Sequence, residues 1–511
     1  EMLRSLVGAE MCIRDSFEED ASLLKSWRDT AENENLHVRI GRWNVPGHPI
    51  AVLVDFQPYF AIKNDIYTRL WEDYGVDSLH AYGDYDEASM FSYAAGLVVE
   101  SYYNHVLKGQ CEHVVYQAHE WMTGLGALYI QKHVPEVATI FTTHATTIGR
   151  SIAGNHKPLY EYLFAYNGNQ MAQELNVQSK HSIERETAHH VDCFTTVSEV
   201  TNRECAELLD KPADVVLMNG FEKDFVPSKV QFARKRREAR RKLREVAGAL
   251  LGTEFDDDVM IISTSGRYEF RNKGIDLYME AMNRSLRNKD LTRKVLAFVQ
   301  VPGWVCCPRE DLKERLASGK ACDTPLEWPL LTHWLHEMSH DQVIDYMKRY
   351  NMWNLPDDKV KVIFVPCYLD GADGIFNMHY YDLLIGMDLT VYASYYEPWG
   401  YTPLESVAFH VPCITTNLSG FGLWVNQLLG KDGELTDGVQ VVRRTDYNSS
   451  EVADAIKDAV TAYAAFTPQE AEKIRHKAAD ISEHALWKHF IRYYYQAYDI
   501  ALHKAKQRRG E

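Results

Sequence analysis

Positive charge is in short supply in this sequence: of 511 residues, 55 are Lys or Arg against 72 Asp or Glu, a formal net charge of −17 at pH 7. Nucleic acid and anionic membrane surfaces both demand positive potential, so neither is expected as a partner of the whole chain. Long apolar runs are missing as well. Nothing approaches the roughly 20 consecutive apolar residues that span a bilayer, and the N-terminal stretch has no signal-peptide core. The expectation is a soluble, cytoplasmic protein. The nine cysteines (12, 111, 193, 205, 306, 307, 322, 367 and 413) include no CxxC pair and no Cys/His ladder at zinc spacing, so a disulfide scaffold and a structural zinc site are both disfavoured. They read as reduced and mostly buried. The adjacent Cys306 and Cys307 are the one pair with redox potential, although a structural role is the simpler reading. Low-complexity tracts are absent, and 46% apolar with 25% charged residues excludes long disorder, collagen and coiled coil.

What the chain does contain is a series of short β-branched runs, each succeeded by a loop and a helical pattern. They are AVLVDF (51–56), HVVYQ (113–117), VATIFTT (137–143), CFTTVS (193–198), VMIIST (259–264), KVLAFVQV (294–301), VKVIFVP (360–366) and LTVYAS (389–394). Nearly continuous apolar strands alternating with helices such as 89–107 and 275–286 predict parallel sheets covered on both faces, an α/β, doubly wound fold. The length exceeds one hydrophobic core and predicts two large lobes. Residues 1–16 have no periodicity continuous with that of residue 17 onward and read as a non-native segment. The first lobe is then assigned to 17–230 and a charged connecting helix to 231–255. The second lobe is 256–465, with a helical insertion at 308–356, and 466–511 forms C-terminal helices that pack back on the first lobe. The connecting helix carries eight Lys or Arg between Arg234 and Arg244. With Glu238 and Glu245 interleaved it reads as a solvated surface helix. In the insertion, Trp328, Trp334, Met347 and Trp353 read as core. The terminal cluster Trp487, Phe490, Tyr493, Tyr494, Tyr495 and Tyr498 must be packed against something.

The chemistry concentrates in 394–422, SYYEPWGYTPLESVAFHVPCITTNLSGFG. A strand ends, an aromatic and Gly-rich loop comes next, and a helix begins. Thr402 reads as its N-cap, Pro403 as the first helical residue and Glu405 as the capping-box acid. A helix N-terminus at the carboxyl end of a parallel strand is an anion site, so Gly400, Tyr401 and Thr402 are candidate binding residues for a phosphate or diphosphate. Glu397, just ahead of that helix, would cost energy beside a phosphate unless it had a task. Glu405 is explained by capping alone. SGRYEFRNKGID (265–276) supplies Arg267 and Lys273 from a second strand-to-helix loop, a cation pair suited to a departing diphosphate, with pairing to Glu269 as the alternative. In the first lobe, strand ends at QAHEWMTGLG (117–126) and FTTHATTIGRS (141–151) present His119 and His144. Arg185, in HSIERETAHHVDCFTTVS, lies on a helix where pairing with its immediate neighbours Glu184 or Glu186 is geometrically disfavoured.

Together HEWMTGLG, VATIFTTHATTIGR, HSIERETAHHVDCFTTVS, SGRYEFRNKG and YYEPWGYTPLE...PCITTNLSGFG resemble glycogen synthase of the animal and fungal type, glycosyltransferase family 3. The match runs in order from about Gly41 to Gly422. The resemblance implies a glycosyltransferase-B fold of two Rossmann-like lobes with an interlobe cleft and a C-terminal helix crossing back. It implies retaining transfer of glucose from UDP-glucose to the non-reducing 4-OH of glycogen or another α-1,4-glucan, with no metal and no cofactor, and a homo-oligomer, a tetramer by family resemblance. On the family's motifs, Glu397 and Glu405 match the two glutamates of an E-x7-E pair. Arg267 and Lys273 match the cations that hold the donor diphosphate, and Arg185 matches an Arg near the donor. Tyr380 matches a tyrosine stacked on uracil, and His144 matches a residue facing the transferred glucose.

Two departures accompany the resemblance. The family's Lys/Arg-Val-Gly-Gly loop does not occur before Gly41, so the chain reads as N-terminally truncated, and a chain without that loop is expected to be inactive as expressed. The arginine-rich helix that binds glucose-6-phosphate is matched by 472–487, where only Lys473, Arg475 and Lys477 are firm cations. Weak or absent activation is expected, as suits a bacterial member. The rival readings are a pyridoxal-dependent glucan phosphorylase, a glucan-binding pseudoenzyme and another nucleotide-sugar glucosyltransferase.

Overall fold

The computed structural model describes residues 17–45, 47–320 and 323–510, so the segment 1–16 read as non-native lies outside the described residues. The chain divides into two units, one of 220–487 and one formed by 17–219 with 488–510.

In the second of these, β1 (Phe17–Glu19), β2 (Val38–Trp43) and β3 (Ile50–Val54) form an antiparallel meander, with Phe17 opposite Trp43 and Ile40 opposite Val52. The run at 51–56 is therefore not a strand of the parallel sheet. Ala51 is buried while Ile50 and Leu53 are exposed, unlike the fully buried strands of the parallel sheets. The parallel sheet consists of β4 (Val115–His119), β5 (Ala138–Thr143), β6 (Cys193–Thr196) and β7 (Val215–Val216), in that order. All of β5 and β6 is buried, as their unbroken apolar and Thr-rich sequences predict. The terminal helix Trp487–Arg509 covers this sheet. Ala497, Ala501 and Ala505, one turn apart, are buried against Ile140, Cys193, Val215 and Leu217, and small side chains at that spacing let helix and sheet approach closely. Arg508 locks its end by an ion pair to Asp192 at 2.9 Å.

The 220–487 unit is built on β8 (Met260–Ser265), β9 (Val295–Gln300), β12 (Val360–Val365), β13 (Leu389–Val391), β14 (Cys413–Thr416) and β15 (Val439–Val442). They form one parallel sheet of order β12-β9-β8-β13-β14-β15. The α/β, doubly wound expectation is met. Chain order runs outward from β8 in one direction and from β13 in the other, so the reversal falls between those two strands. That is the switch point at which open α/β sheets form ligand crevices.

Three expectations change. Of the segment 466–511 only the terminal helix packs on the first lobe's sheet, because Pro468–His484 belongs to the 220–487 unit, where it buries Ile474 in the core. The basic helix, Lys229–Leu251, is not merely solvated: it buries Ala239, Leu243, Val246, Ala247, Leu250 and Leu251 in this unit's core. Arg236 and Arg240 both reach Asp388, at 2.6 and 2.8 Å, and Asp388 also accepts from the Ile261 N–H at 2.9 Å. Part of the positive run is thus a buried clamp on the entry to strand β8. The 308–356 insertion is mixed rather than helical, since a two-stranded antiparallel ribbon, β10 (Val305–Pro308) with β11 (His333–Leu335), accompanies helices Glu310–Ser318 and Gln342–Arg349. Its Met347 is fully buried and Trp328, Trp334 and Trp353 pack against the core, as expected. Among the described residues no helix is long and apolar enough to cross a membrane.

Candidate active site

The loops leaving the carboxyl ends of β8 and β13 meet at the switch point. The Asn272 carbonyl accepts from the Tyr395 and Tyr396 N–H groups at 2.9 and 3.1 Å, which ties loop 266–274 to loop 392–400. Gly274 makes the approach possible: its φ is 70°, and a Cβ there would lie 1.9 Å from the Ala393 carbonyl oxygen. The contact delivers Lys273 to Glu397. Lys273 Nζ donates to Glu397 Oε2 at 2.7 Å, both side chains are nearly buried (12% and 13% exposed), and Ser394 Oγ donates to the same oxygen at 3.4 Å. Arg267 stands at the rim, 29% exposed, paired with Glu269 at 3.1 Å. The Glu269 alternative thus describes Arg267, whereas Lys273 finds its partner on the other loop.

The helix after Glu397 spans Tyr401–Ala408, and its cap differs from the one predicted. Gly400, at φ 117°, occupies the N-cap position, Thr402 caps nothing and the Thr402–Glu405 box is not formed. The reason is that a positive φ turns the chain into the helix two residues earlier than Thr402 would. Glu405, no longer needed as a cap, accepts from Tyr381 Oη at 2.8 Å, and burial pushes its carboxyl up to about 7. Loop 397–399 is pinned from below, because Gly420 N–H donates to the Glu397 carbonyl at 3.1 Å and Phe421 N–H to that of Trp399 at 2.7 Å. Tyr380 is anchored beside the end of β8 by its hydroxyl, 2.7 Å from Ser265 Oγ. Its neighbour Tyr381 stacks on Phe409.

In the other unit, His119 ends β4 and His144 comes directly after β5. Their rings share one hydrogen bond, Nδ1 to Nε2, at 3.0 Å. Between them lies a residue absent from the sequence-based candidates. Glu120, with φ 67°, is 4% exposed, and its Oε1 accepts from the His144 and Ala145 N–H groups at 3.0 and 3.2 Å. Burial, reinforced by the charge of Glu184, pushes its carboxyl up to about 8. Glu184 itself is fully buried, accepts from Thr143 Oγ1 at 2.8 Å and Thr147 N–H at 2.9 Å, and is pushed up to about 7 by burial. Burial, then His119 and Arg150, hold His144 down to about 4. The clue in the sequence was the acid inside HEW at a strand end. Arg185 is not aimed at this cluster. It pairs with Glu186 at 2.7 Å and Asp210 at 3.2 Å, so the disfavoured neighbour contact does form, with Asp210 as a second anchor on the guanidinium.

One group of potential metal ligands occurs among the described residues, His333, Cys367 and Asp373. Two of the three already have protein partners: His333 Nε2 meets the Asp373 carbonyl at 2.9 Å and Nδ1 meets Thr332 Oγ1 at 2.8 Å, while the Asp373 carboxylate accepts from the Ile375, Phe376 and Asn377 N–H groups.

Comparison with known proteins gives a consistent answer. A family model described as Glycogen synthase matches residues 9–307 and 312–509. Glycogen [starch] synthase of Neurospora crassa is 27% identical over 94% of this chain and 76% of its own length. Isoform 2 of Saccharomyces cerevisiae is 26% identical over 96% and 78%, and the liver enzyme of Rattus norvegicus 26% over 93% and 74%. Among solved structures, the catalytic domain of starch synthase IV from Arabidopsis thaliana, bound to ADP and acarbose, aligns with a TM-score of 0.53 at 14% identity, covering 91% of this chain and 85% of that one. An α,α-trehalose 6-phosphate synthase from Burkholderia multivorans aligns with 0.51 at 10% identity, covering 93% and 87%. These two likenesses concern the fold.

Proposed function

The chain belongs to the glycogen synthase family, a family of glycosyltransferases, and from that premise we propose that it transfers glucose with retention from UDP-glucose to the non-reducing 4-OH of an α-1,4-glucan. The observation that carries the site assignment is the Lys273–Glu397 pair at 2.7 Å, at the switch point, with Arg267 beside it. Two cations and a helix start gathered at the ends of β8 and β13 suit a diphosphate whose charge grows as the glycosidic bond breaks. In this reading the diphosphate draws Lys273 and Arg267 away from Glu397 and Glu269. Glu397 is then left as an acceptor that orients the sugar and opposes the positive charge developing at its anomeric carbon. The acceptor hydroxyl attacks from the face the nucleotide leaves, and the β-phosphate takes its proton.

The first-turn N–H groups at Gly400, Tyr401 and Thr402 add their dipole to the anion site. Tyr380, fixed at Ser265, offers its ring to the uracil, and Glu405 acts through Tyr381 as a positioning residue. His144, whose loop Glu120 holds, is assigned to the glucose, and His119 is hydrogen-bonded to its ring. Arg185, assigned to the donor by its match to the family's motif, is held in ion pairs by Glu186 and Asp210. Because cations on the chain serve the leaving charge, transfer is proposed to need no divalent metal and to persist in a chelator. The test is nucleotide release in the presence of glycogen from UDP-glucose and from ADP-glucose, for the chain, for the chain carrying the family's Lys/Arg-Val-Gly-Gly loop at its N-terminus, and for Glu397→Gln in that second background. Faster release from UDP-glucose, with kcat lowered about 10² to 10³-fold in the variant, supports the reading. An unchanged rate in Glu397→Gln removes Glu397 from the chemistry.

A further inference from the structure

The β10–β11 ribbon takes no part in the donor site, yet it carries an arrangement of thiols found nowhere else among the described residues. Val305 pairs with Leu335, and the register then slips so that Cys307 pairs with Trp334, leaving Cys306 as the additional residue of a β-bulge. In a regular strand adjacent side chains leave opposite faces, and the bulge removes that alternation. Both thiols are exposed, whereas Cys193, Cys205, Cys367 and Cys413 are buried and Cys111 is exposed without a neighbouring cysteine in sequence. Desolvation, then Cys306, holds the Cys307 thiol above its ordinary range. The ribbon is anchored on both sides of the bulge: Gly303 N–H donates to the Pro366 carbonyl and His336 N–H to the Trp304 carbonyl, both at 3.0 Å, and Arg309 N–H donates to the Thr332 carbonyl at 3.4 Å. Ring closure is thus confined to the bulge between these anchors, where Cys306 has no partner on the opposite strand.

We propose that Cys306 and Cys307 form a redox-active dithiol that closes to a vicinal disulfide by exchange with low-molecular-weight disulfides. The Cys306 thiolate attacks one sulfur of the external disulfide, forming a mixed disulfide and expelling one thiolate. Cys307 gives its proton to solvent, its sulfur attacks Cys306 Sγ, and the second external thiolate leaves. Two protein thiols are oxidised, one external disulfide is reduced to two thiols, and excess thiol reverses the sequence. Adjacent Cα atoms lie about 3.8 Å apart, shorter than the roughly 4.4–6.8 Å span of ordinary disulfides. The closed ring is consequently strained, which places the bond with labile, reducible disulfides rather than structural ones.

The test treats the full chain with oxidised glutathione, alkylates the remaining thiols and weighs the peptide carrying both residues, with Cys111 as an internal standard for reaction. The expected result is loss of both alkylatable thiols and of two hydrogen masses from that peptide, without retained glutathione and fully restored by reduced glutathione. In Cys307→Ser the intermediate should be trapped as glutathione on Cys306. Both side chains are exposed, so serine replaces them without a folding penalty. The proposal is overturned if the pair stays alkylatable under conditions that modify Cys111, or if the unsubstituted peptide retains as much glutathione as Cys307→Ser.

Discussion

Glu120 sits in a backbone conformation unusual for a residue with a side chain and holds the His144 loop through two N–H groups. Its carboxyl is raised from 4.5 to about 8. A carboxyl whose folded value is raised binds its proton more tightly in the folded state, so its contribution is fully favourable below pH 4.5 and is lost as pH climbs through 8. Glu120→Gln should flatten that part of the stability profile, so that melting temperatures measured from pH 5 to 8 fall less steeply than in the unsubstituted chain. Parallel profiles would show that Glu120 does not titrate in this window. Lys273→Met should weaken UDP binding by about 1.5 to 3 kcal/mol, the worth of a hydrogen bond to a charged group and at least about tenfold in affinity. At this scale the sequence was partly legible. Lys273 and Glu397 were visible because each lies between a strand and a helix. Glu120 was hidden between two more conspicuous residues, since burial and φ are not written in a tripeptide.

At the scale of elements, the site depends on two loops being able to touch. Gly274→Ala puts a side chain into a left-handed position and against the Ala393 carbonyl. It should destabilise the fold by about 2 kcal/mol or more, read from denaturant midpoints, and lower donor affinity even though it removes no charge. Asp388 makes a second test. Burial alone would raise its carboxyl, but Arg240 and Arg236 outweigh it and hold it below 3.8. Its stabilisation is therefore present above that value and lost as pH falls below it. Asp388→Asn should cost about 3 to 5 kcal/mol by leaving two buried cations short of a partner. The strands were legible from their apolar runs and the helices from their periodicity. The pairing of 51–56 was not, because its neighbour 38–43 was not read as a strand, and the ion pairs of the basic helix were not, because their partner Asp388 is distant in sequence. The cap at Gly400 was misread because Thr-Pro-x-Glu is a good local signal that a glycine two residues earlier overrides.

For the whole molecule, the deficit of positive charge now has a local counterpart. A chain of net charge −17 concentrates Arg267 and Lys273 at one strand-end site and is read as taking a neutral polymer as acceptor. Raising salt to about 0.5 M, where the Debye length shrinks to a few ångströms, should weaken UDP binding while leaving glycogen co-sedimentation within about twofold. Equal loss of both would mean that the glucan surface is itself electrostatic. The family was legible from strings such as FTTHAT and YYEPWGYTP, which run from the ends of strands into the loops and the helix start beyond them. The central claim, that the switch-point loops hold the donor diphosphate, is tested most directly by calorimetric titration of UDP into the chain and into an Arg267→Ala, Lys273→Met double variant. A loss of at least about hundredfold in affinity, two charge-assisted contacts' worth, is the predicted result. Equal affinity in the two proteins would contradict it.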